Sequence, residues 1–492
     1  MTQILLGQSY YLRFDPKLWE AMQPYPPLGT LYAASWLRQH GYDIALFDAM
    51  LADSEEEWAK SLDEHKPRYA IIYEDNFNYL SKMCLLRMRE AAFNMIHMAK
   101  SRGCVVILCG ADATDHFKDY LEHGADSCIL GEGEETLLEL LNQLEGAALS
   151  LSKGKRDAGL ESILGLAYES PVSNLQSPFP QFSNSPILSN PRRPDITNLD
   201  SLPFPAWDLV DIEKYRSLWL QHHGYFSMNM VTTRGCPYHC NWCAKPIWGQ
   251  RYNSRSPENV VAEMKWIKET FAPDHIWFAD DILGLKPRWI EKFAALLNEA
   301  DAVIPFKCLQ RADLINEKTA PALAKAGCKT AWLGAESGSQ KILDAMDKGD
   351  TVEDIYNAAR LLKANGIEVG FFLQFGYPGE TWDDVRKTLK MVRDCVPDDI
   401  GISVSYPLPG TKFFERVKLE LGEKQNWVDS EDLEMLYRGP FPTEFYRVLH
   451  GRVHYEFRAR KAFRQRSLRG LANVPRNIFG LVRSEWQLRR FV

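Results

Sequence analysis

The sequence predicts an α/β protein built from two successive sets of alternating strands and helices, with a small, mostly helical region at its C-terminal end. Three observations carry this. Apolar runs of strand length end again and again in glycine or polar residues. Stretches with apolar residues at helical spacing separate those runs. The pattern occurs twice, over residues 1–145 and 226–415, and is interrupted at 146–225 by a stretch rich in Ser, Pro and Asn.

In the first set, ILLGQS opens as a strand, and PLGTLYAASWLRQHG follows with helical spacing, stopping at Gly41 as a C-cap. DIALFDAM, YAIIYED, CVVILCGAD and SCILGEGEE are the next strand-like runs. Strands separated by helices argue for a doubly wound parallel sheet, in which ligands bind beyond the carboxyl ends of the strands. Those ends carry Glu74-Asp75-Asn76, Gly110-Ala111-Asp112 and Gly131-Glu132-Gly133-Glu134. The segment 146–225 reads as a linker with local hairpins that wraps over its neighbours. In the second set, FSMNMVTT precedes a cysteine cluster, and HIWFADD, PFKCLQRAD, TAWLGAES, EVGFFLQFG and IGISVSY are strand-like. The helical stretches between them, among them SPENVVAEMKWIKETF and TVEDIYNAARLLKANG, argue for a partial or full parallel β/α barrel, whose chemistry sits at the C-terminal ends of its strands.

The 492 residues allow about three domains. With 45% apolar and 25% charged residues the composition is that of a globular protein. The opening MTQILLGQSYYLRF lacks a basic segment followed by an apolar one, and no apolar run is long enough to span a bilayer, so the expected location is the cytoplasm. In a reducing compartment the ten cysteines are not disulfide staples. Seven are scattered, several in apolar runs that suit a small buried thiol. The other three, Cys236, Cys240 and Cys243, follow a strand end directly.

Net charge is −7, unevenly spread: Arg438 to the end holds 13 Lys/Arg against 3 Asp/Glu, a local +10, which leaves −17 elsewhere. Arginines and aromatics interleave in HYEFRARKAFRQRSLRG and VPRNIFGLVRSEWQLRRFV. The favoured reading is amphipathic helices packing on the acidic body of the same protein. A peripheral contact with anionic lipid is the alternative, and no nucleic-acid partner is expected.

The cysteine spacing in Thr232-Thr233-Arg234-Gly235-Cys236-Pro237-Tyr238-His239-Cys240-Asn241-Trp242-Cys243 is C-x3-C-x2-C. Three thiolates from one loop can grip three irons of a four-iron cluster and leave the fourth open to a ligand. Structural zinc would need four ligands, usually as two separated pairs, and His239 lies inside the loop.

This motif resembles the radical S-adenosylmethionine superfamily. The resemblance implies that Cys236, Cys240 and Cys243 bind a 4Fe–4S cluster whose open iron takes the amino and carboxylate groups of S-adenosylmethionine (SAM). It further implies that one electron from the cluster cleaves SAM to a 5'-deoxyadenosyl radical. Trp242 would lie near the adenine, Asp280 near the amino end, Arg311 at the carboxylate, Glu336 at the ribose and Gln374 on the adenine side. The first set of strands, through PPLGTLYAASWLRQHGYDIALFDA, YEDNFNYL, CGADAT and GADSCILGEGEETL, resembles the cobalamin-binding domain that precedes many such enzymes. There the resemblance implies corrin contacts from Glu74, Asn76, Gly110, Thr114, Gly131, Glu132 and Gly133, with a turn at Gly110–Thr114 admitting the nucleotide tail. The Asp-x-His-x-x-Gly motif that ligates cobalt in some such domains is absent.

Taken with the domain order 1–145, 146–225, 226–415 and 416–492, the resemblance implies a cobalamin-dependent radical methyltransferase acting on an unactivated carbon of a small molecule. A flavodoxin or ferredoxin would donate the electron. YPPLGTLYAASWLRQHGYDIALFDAM also resembles the anaerobic magnesium-protoporphyrin ester cyclase group, which implies the alternative of a ring-forming or rearranging enzyme on a hydrophobic substrate. A non-catalytic cluster or corrin carrier is the third alternative, and the three-cysteine spacing, which leaves an iron open, weighs against it.

Overall fold

A computed structural model describes residues 3–151, 159–169, 186–245, 247–465 and 472–491. Two compact units are present. The first holds Met1–Pro237, Lys245–Ala279 and Val428–Glu431; the second holds Tyr238–Ala244, Asp280–Trp427 and Asp432–Val492.

In the first unit a seven-stranded sheet runs in the order β2 (Ile44–Leu46), β1 (Ile4–Gly7), β3 (Tyr69–Tyr73), β4 (Val105–Cys109), β5 (Ser127–Ile129), β6 (Leu166–Glu169), β7 (Ile187–Ser189). The first five in that order pair in parallel; β5–β6 and β6–β7 are antiparallel. Side chains alternate across a strand, so each strand supplies two cores. Leu5, Ala70, Ile72, Val106 and Leu108 pack with Ala91, Ala92, Met95 and Ile96 of the helix Leu86–Lys100. Their neighbours Ile4, Leu6, Ile71, Tyr73 and Ile107 pack with Ala33, Ala34 and Leu37 of the helix Leu28–Gln39 and with Leu137, Leu140 and Leu141 of the helix Glu134–Leu151. Burial on both faces is why these strands read as near-continuous apolar runs. The doubly wound sheet is as the sequence predicts, and its order places the topological switch point between β1 and β3.

Residues 152–158 and 170–185 of the Ser/Pro/Asn-rich stretch lie outside the described residues. What flanks it is ordered: β6 and β7 extend the sheet edge, and Asp211 caps the helix Ile212–His223 by accepting from the Lys214 amide. The same unit holds the parallel pair β8 (Ser227–Met230) and β11 (His275–Phe278), and a short antiparallel ribbon of β9 (Thr233–Arg234) with β10 (Asn253–Ser254).

In the second unit β12 (Phe306–Gln310), β13 (Cys328–Glu336), β14 (Glu368–Phe375) and β15 (Asp399–Val404) pair in parallel in that order. The parallel pair of β8 and β11 in the first unit and the four parallel strands here are the strand type that the predicted parallel barrel calls for. Helices between them start on strong caps. Thr351 and Thr381 each form a reciprocal capping box, with Asp354 and Asp384 respectively. The C-terminal region contains two helices, Thr443–Gln465 and Val474–Leu488, that pack on each other.

Candidate functional site

The cysteine loop begins where β9 ends. Arg234, in β9, is paired with Asn253 of β10. Gly235 follows at φ +79°, and a Cβ there would stand 2.4 Å from the Arg251 carbonyl oxygen, so only glycine makes this turn into Cys236. Cys236, Cys240 and Cys243 are half-buried, whereas the other seven cysteines are all buried. Three accessible thiols on one loop fit a cluster that needs three thiolates and an open iron.

Arg234 itself is buried between two carboxylates. It donates to Glu134 at 2.6 Å and to Glu132, both within the Gly131-Glu132-Gly133-Glu134 run beyond β5. Burial opposes its charge, but Glu134 and Glu132 more than compensate and raise its pKa above the ordinary value. Tyr32, Phe77 and Trp248 surround the guanidinium at 5.6–5.9 Å from their ring centres. The loop is thereby anchored to a strand end about a hundred residues earlier in the chain.

In the second unit, Tyr238 of the same loop lies face-on to Arg311, whose guanidinium carbon is 3.6 Å from the ring centre. Arg311 follows β12 and donates to both oxygens of Asp313 and to the Lys348 carbonyl. Glu336 ends β13 at φ +52°, where the β13–β14 register shifts after Gly334; such a bulge re-aims a side chain. Its carboxylate accepts from Lys348 Nζ at 3.1 Å, and both side chains are about 7% exposed. Burial opposes the Lys348 charge, while Glu336, Asp350 and Cys240 favour it, and the net effect raises its pKa. Asp350 is buried with neither carboxylate oxygen hydrogen-bonded among the described residues, and burial lifts its pKa to about 6.

Asp280, 1% exposed, lies two residues past the end of β11. Gln374, near the end of β14, donates to Ser405 just past β15. Trp242 packs against the cluster of Ile342, Met346, Tyr377 and Phe413. Asn241 holds the middle of the loop: it accepts from the Tyr377 hydroxyl, and its own amides donate to the Met346 and Ala345 carbonyls. Asp280, Arg311, Glu336 and Gln374 thus occur at the C-terminal ends of successive strands, where a β/α barrel carries its chemistry.

At the switch point of the first sheet, Glu74 beyond β3 accepts from the Ser9 amide and hydroxyl beyond β1. Burial pushes its pKa up to about 8. Asp75 accepts from the Gly29 amide at the start of the helix Leu28–Gln39. Two buried amides at these strand ends, Gln8 Nε2 and Asn76 Oδ1, have no partner among the described residues. Unsatisfied donor and acceptor groups at a switch point fit a polar ligand seated there. A Cβ on Gly110 would stand 2.7 Å from that of Glu74, so glycine permits this approach. The expected turn at Gly110–Thr114 opens a short helix, Ala111–Asp115, in which Thr114 Oγ1 donates to the Gly110 carbonyl and accepts from the Gly131 amide. Glu132 is engaged by Arg234, the Trp248 indole and the Ile196 amide. Gly133 packs so closely that a Cβ would lie 2.4 Å from Cys109 Sγ.

Arg234 and Tyr238 stood in the motif without a role, and Lys348 and Asp350 were not singled out.

Residues 230–392 match the family model described as the radical SAM superfamily. Among curated relatives, an uncharacterized methyltransferase of Pyrococcus horikoshii is 28% identical, over 79% of this chain and 78% of the relative. The anaerobic magnesium-protoporphyrin IX monomethyl ester cyclase of Rubrivivax gelatinosus is 26% identical, over 83% and 68% respectively. Among solved structures, the cobalamin-dependent S-adenosylmethionine radical enzyme OxsB with aqua-cobalamin bound superposes at a TM-score of 0.64 with 19% identity. That likeness covers 80% of this chain and shows the shared fold; the chain spans about half of OxsB, 52% of its length.

Proposed function

We propose that this chain is a cobalamin-dependent radical SAM methyltransferase acting on an unactivated carbon of a small-molecule substrate. The observation that carries the radical part is the bracing of the cysteine loop by a strand-end charge: Arg311 stacks on Tyr238 and donates to the carbonyl of Lys348, whose ammonium pairs with buried Glu336. When bound, the 4Fe–4S cluster supplies the electron that cleaves SAM, and cobalamin carries the methyl group.

The protein's part is to bind and orient. Cys236, Cys240 and Cys243 would hold the cluster. Trp242, Asp280, Arg311, Glu336 and Gln374 would hold SAM, with Arg311 also fixing the loop through Tyr238. Glu74, Asn76, Gly110, Thr114, Gly131, Glu132 and Gly133 would form the corrin cradle. Asn76 offers its unpartnered oxygen there, Gly110 and Gly133 let the strand-end loops pack closely on Glu74 and Cys109, and Glu132 holds Arg234. Residues 1–145 would then be the corrin domain, 146–225 a linker, 226–415 the radical domain and 416–492 a helical basic region. A flavodoxin or ferredoxin would supply the electron. The relative named as a methyltransferase supports methyl transfer. The cyclase of R. gelatinosus, aligned over most of this chain, favours a second reading: ring formation on a hydrophobic substrate with the same cofactors.

The test is anaerobic reconstitution with iron, sulfide and hydroxocobalamin, followed by incubation with SAM and a reductant. S-adenosylhomocysteine together with 5'-deoxyadenosine supports methyl transfer. Deoxyadenosine with bound corrin and no S-adenosylhomocysteine favours the cyclase reading. Failure to retain corrin removes cobalamin from both.

A further inference from the structure

The sequence placed the basic tail against the body of the protein, and the helix Thr443–Gln465 behaves so. Arg452 and Arg460 pair with Glu456, Arg464 pairs with Asp398, and Lys461 donates to the Asp398 carbonyl. The six residues 466–471 of the tail lie outside the described residues. The last helix, Val474–Leu488, is different.

Its rotation is fixed by packing. Val474, Asn477, Gly480, Ser484 and Leu488 are buried. A Cβ on Gly480 would stand 2.7 Å from the Tyr455 ring, so glycine lets the two helices approach there. Glu485 is held by Arg452 at 2.9 Å. With that face committed, four large apolar side chains point to solvent: Ile478 at 45% exposure, Phe479 at 70%, Val482 at 63% and Trp486 at 60%. Their positions, i, i+1, i+4 and i+8, form one stripe on a helix. Arg476, Arg483, Arg489 and Arg490 flank it, all exposed and without an ion pair among the described residues; Arg490 also covers the Trp486 ring at 4.0 Å. The only acid of the helix, Glu485, is the one already tied to Arg452.

We infer that this face docks on an anionic lipid surface. Large exposed apolar stripes mark interaction sites. Phe and Trp beside unpaired arginines, with no uncompensated acid, is the composition that seats a helix in the interface of an anionic bilayer. Fifteen residues reach only about 22 Å, which suits a helix lying in the plane of the membrane. No helix among the described residues is long and apolar enough to cross a membrane. The charge complementarity selects lipid over a second copy of this chain, whose face would present the same arginines. The inference does not depend on the proposed chemistry.

The full chain is floated with vesicles of phosphatidylcholine alone and of equal parts phosphatidylcholine and phosphatidylglycerol. The expected result is flotation with the anionic vesicles only, weakened by salt. The surface variant F479S/V482S/W486S and the variant R483E/R490E should each lower the bound fraction by about tenfold or more. Circular dichroism checks that both variants fold. Failure of the wild type to float at low salt overturns the inference, as does equal binding by wild type and both variants. A change in oligomeric state in F479S/V482S/W486S without a change in flotation assigns the face to self-association and also overturns it.

Discussion

Replacing Arg234 with methionine is the perturbation that most directly probes how the cysteine loop is anchored. The guanidinium is 3% exposed, and its partners Glu132 and Glu134 are 6% and 3% exposed. Removing it strands two carboxylates in a buried site. Breaking a buried ion pair by deleting one partner costs about 3–5 kcal/mol, because the remaining charge is uncompensated. In a chain of this size that lowers Tm by about 3–5 °C. The stranded charges, more than the lost attraction, set the cost. The triple variant R234M/E132Q/E134Q removes all three charges, so it should recover more than half of the loss. The assay is thermal unfolding of the apoprotein, with iron content after reconstitution as a second readout. Arg234→Met should also lower iron retention, since Cys236 follows two residues later. A Tm change under about 2 °C for Arg234→Met, or a triple variant less stable than the single, would refute the reasoning.

Three other outcomes are expected. The fold favours protonated Glu74, with its pKa at about 8 against an ordinary 4.5, so its contribution to stability is complete below about pH 4.5 and is lost as pH rises toward 8. Glu74→Gln should flatten the fall of apoprotein Tm between about pH 5 and 9, and an unchanged profile would count against the assignment. Gly133→Ala should cost about 1–3 kcal/mol in denaturant titration by overpacking against Cys109 and the Tyr73 ring, and a cost below about 0.5 kcal/mol would count against this close packing. Lys348→Met should destabilise by about 3–5 kcal/mol through stranded Glu336, with K348M/E336Q recovering stability; equal losses in the two variants would argue against a buried pair.

Much of this architecture is legible in the sequence, for a physical reason. Strands buried on both faces, such as Tyr69–Tyr73 and Val105–Cys109, must be continuously apolar, and their ends must turn polar where a ligand can reach. That local signal located Glu74, Gly110 and the Gly131–Glu134 run. Cys236, Cys240 and Cys243 were legible because three thiols fall on one short loop. What was not legible depends on distant partners. Arg234 meets residues 102 and 100 positions earlier, and no local pattern announces that pairing. Lys348 looks like an ordinary surface lysine in AMDKGD, yet the bulge at Glu336 brings a carboxylate 3.1 Å from its ammonium. The edge strands β6 and β7 flank a Ser/Pro-rich stretch whose composition reads as linker, because edge pairing makes weaker demands on sequence than a central strand does. The tail divides similarly: local periodicity marks both helices, but only tertiary packing decides that one ties Arg452, Arg460 and Arg464 to carboxylates while the other leaves its arginines without an ion pair among the described residues.

The most direct test of the central claim is SAM cleavage by the three-cysteine loop. Wild type and the variant C236A/C240A/C243A, both reconstituted anaerobically, are incubated with SAM and dithionite, and 5'-deoxyadenosine is quantified. The account predicts deoxyadenosine from the wild type and none above background from the variant, with the variant's apoprotein Tm close to that of the wild type. Wild-type protein that carries its cluster yet yields no deoxyadenosine, or a variant that yields as much as wild type, would contradict it.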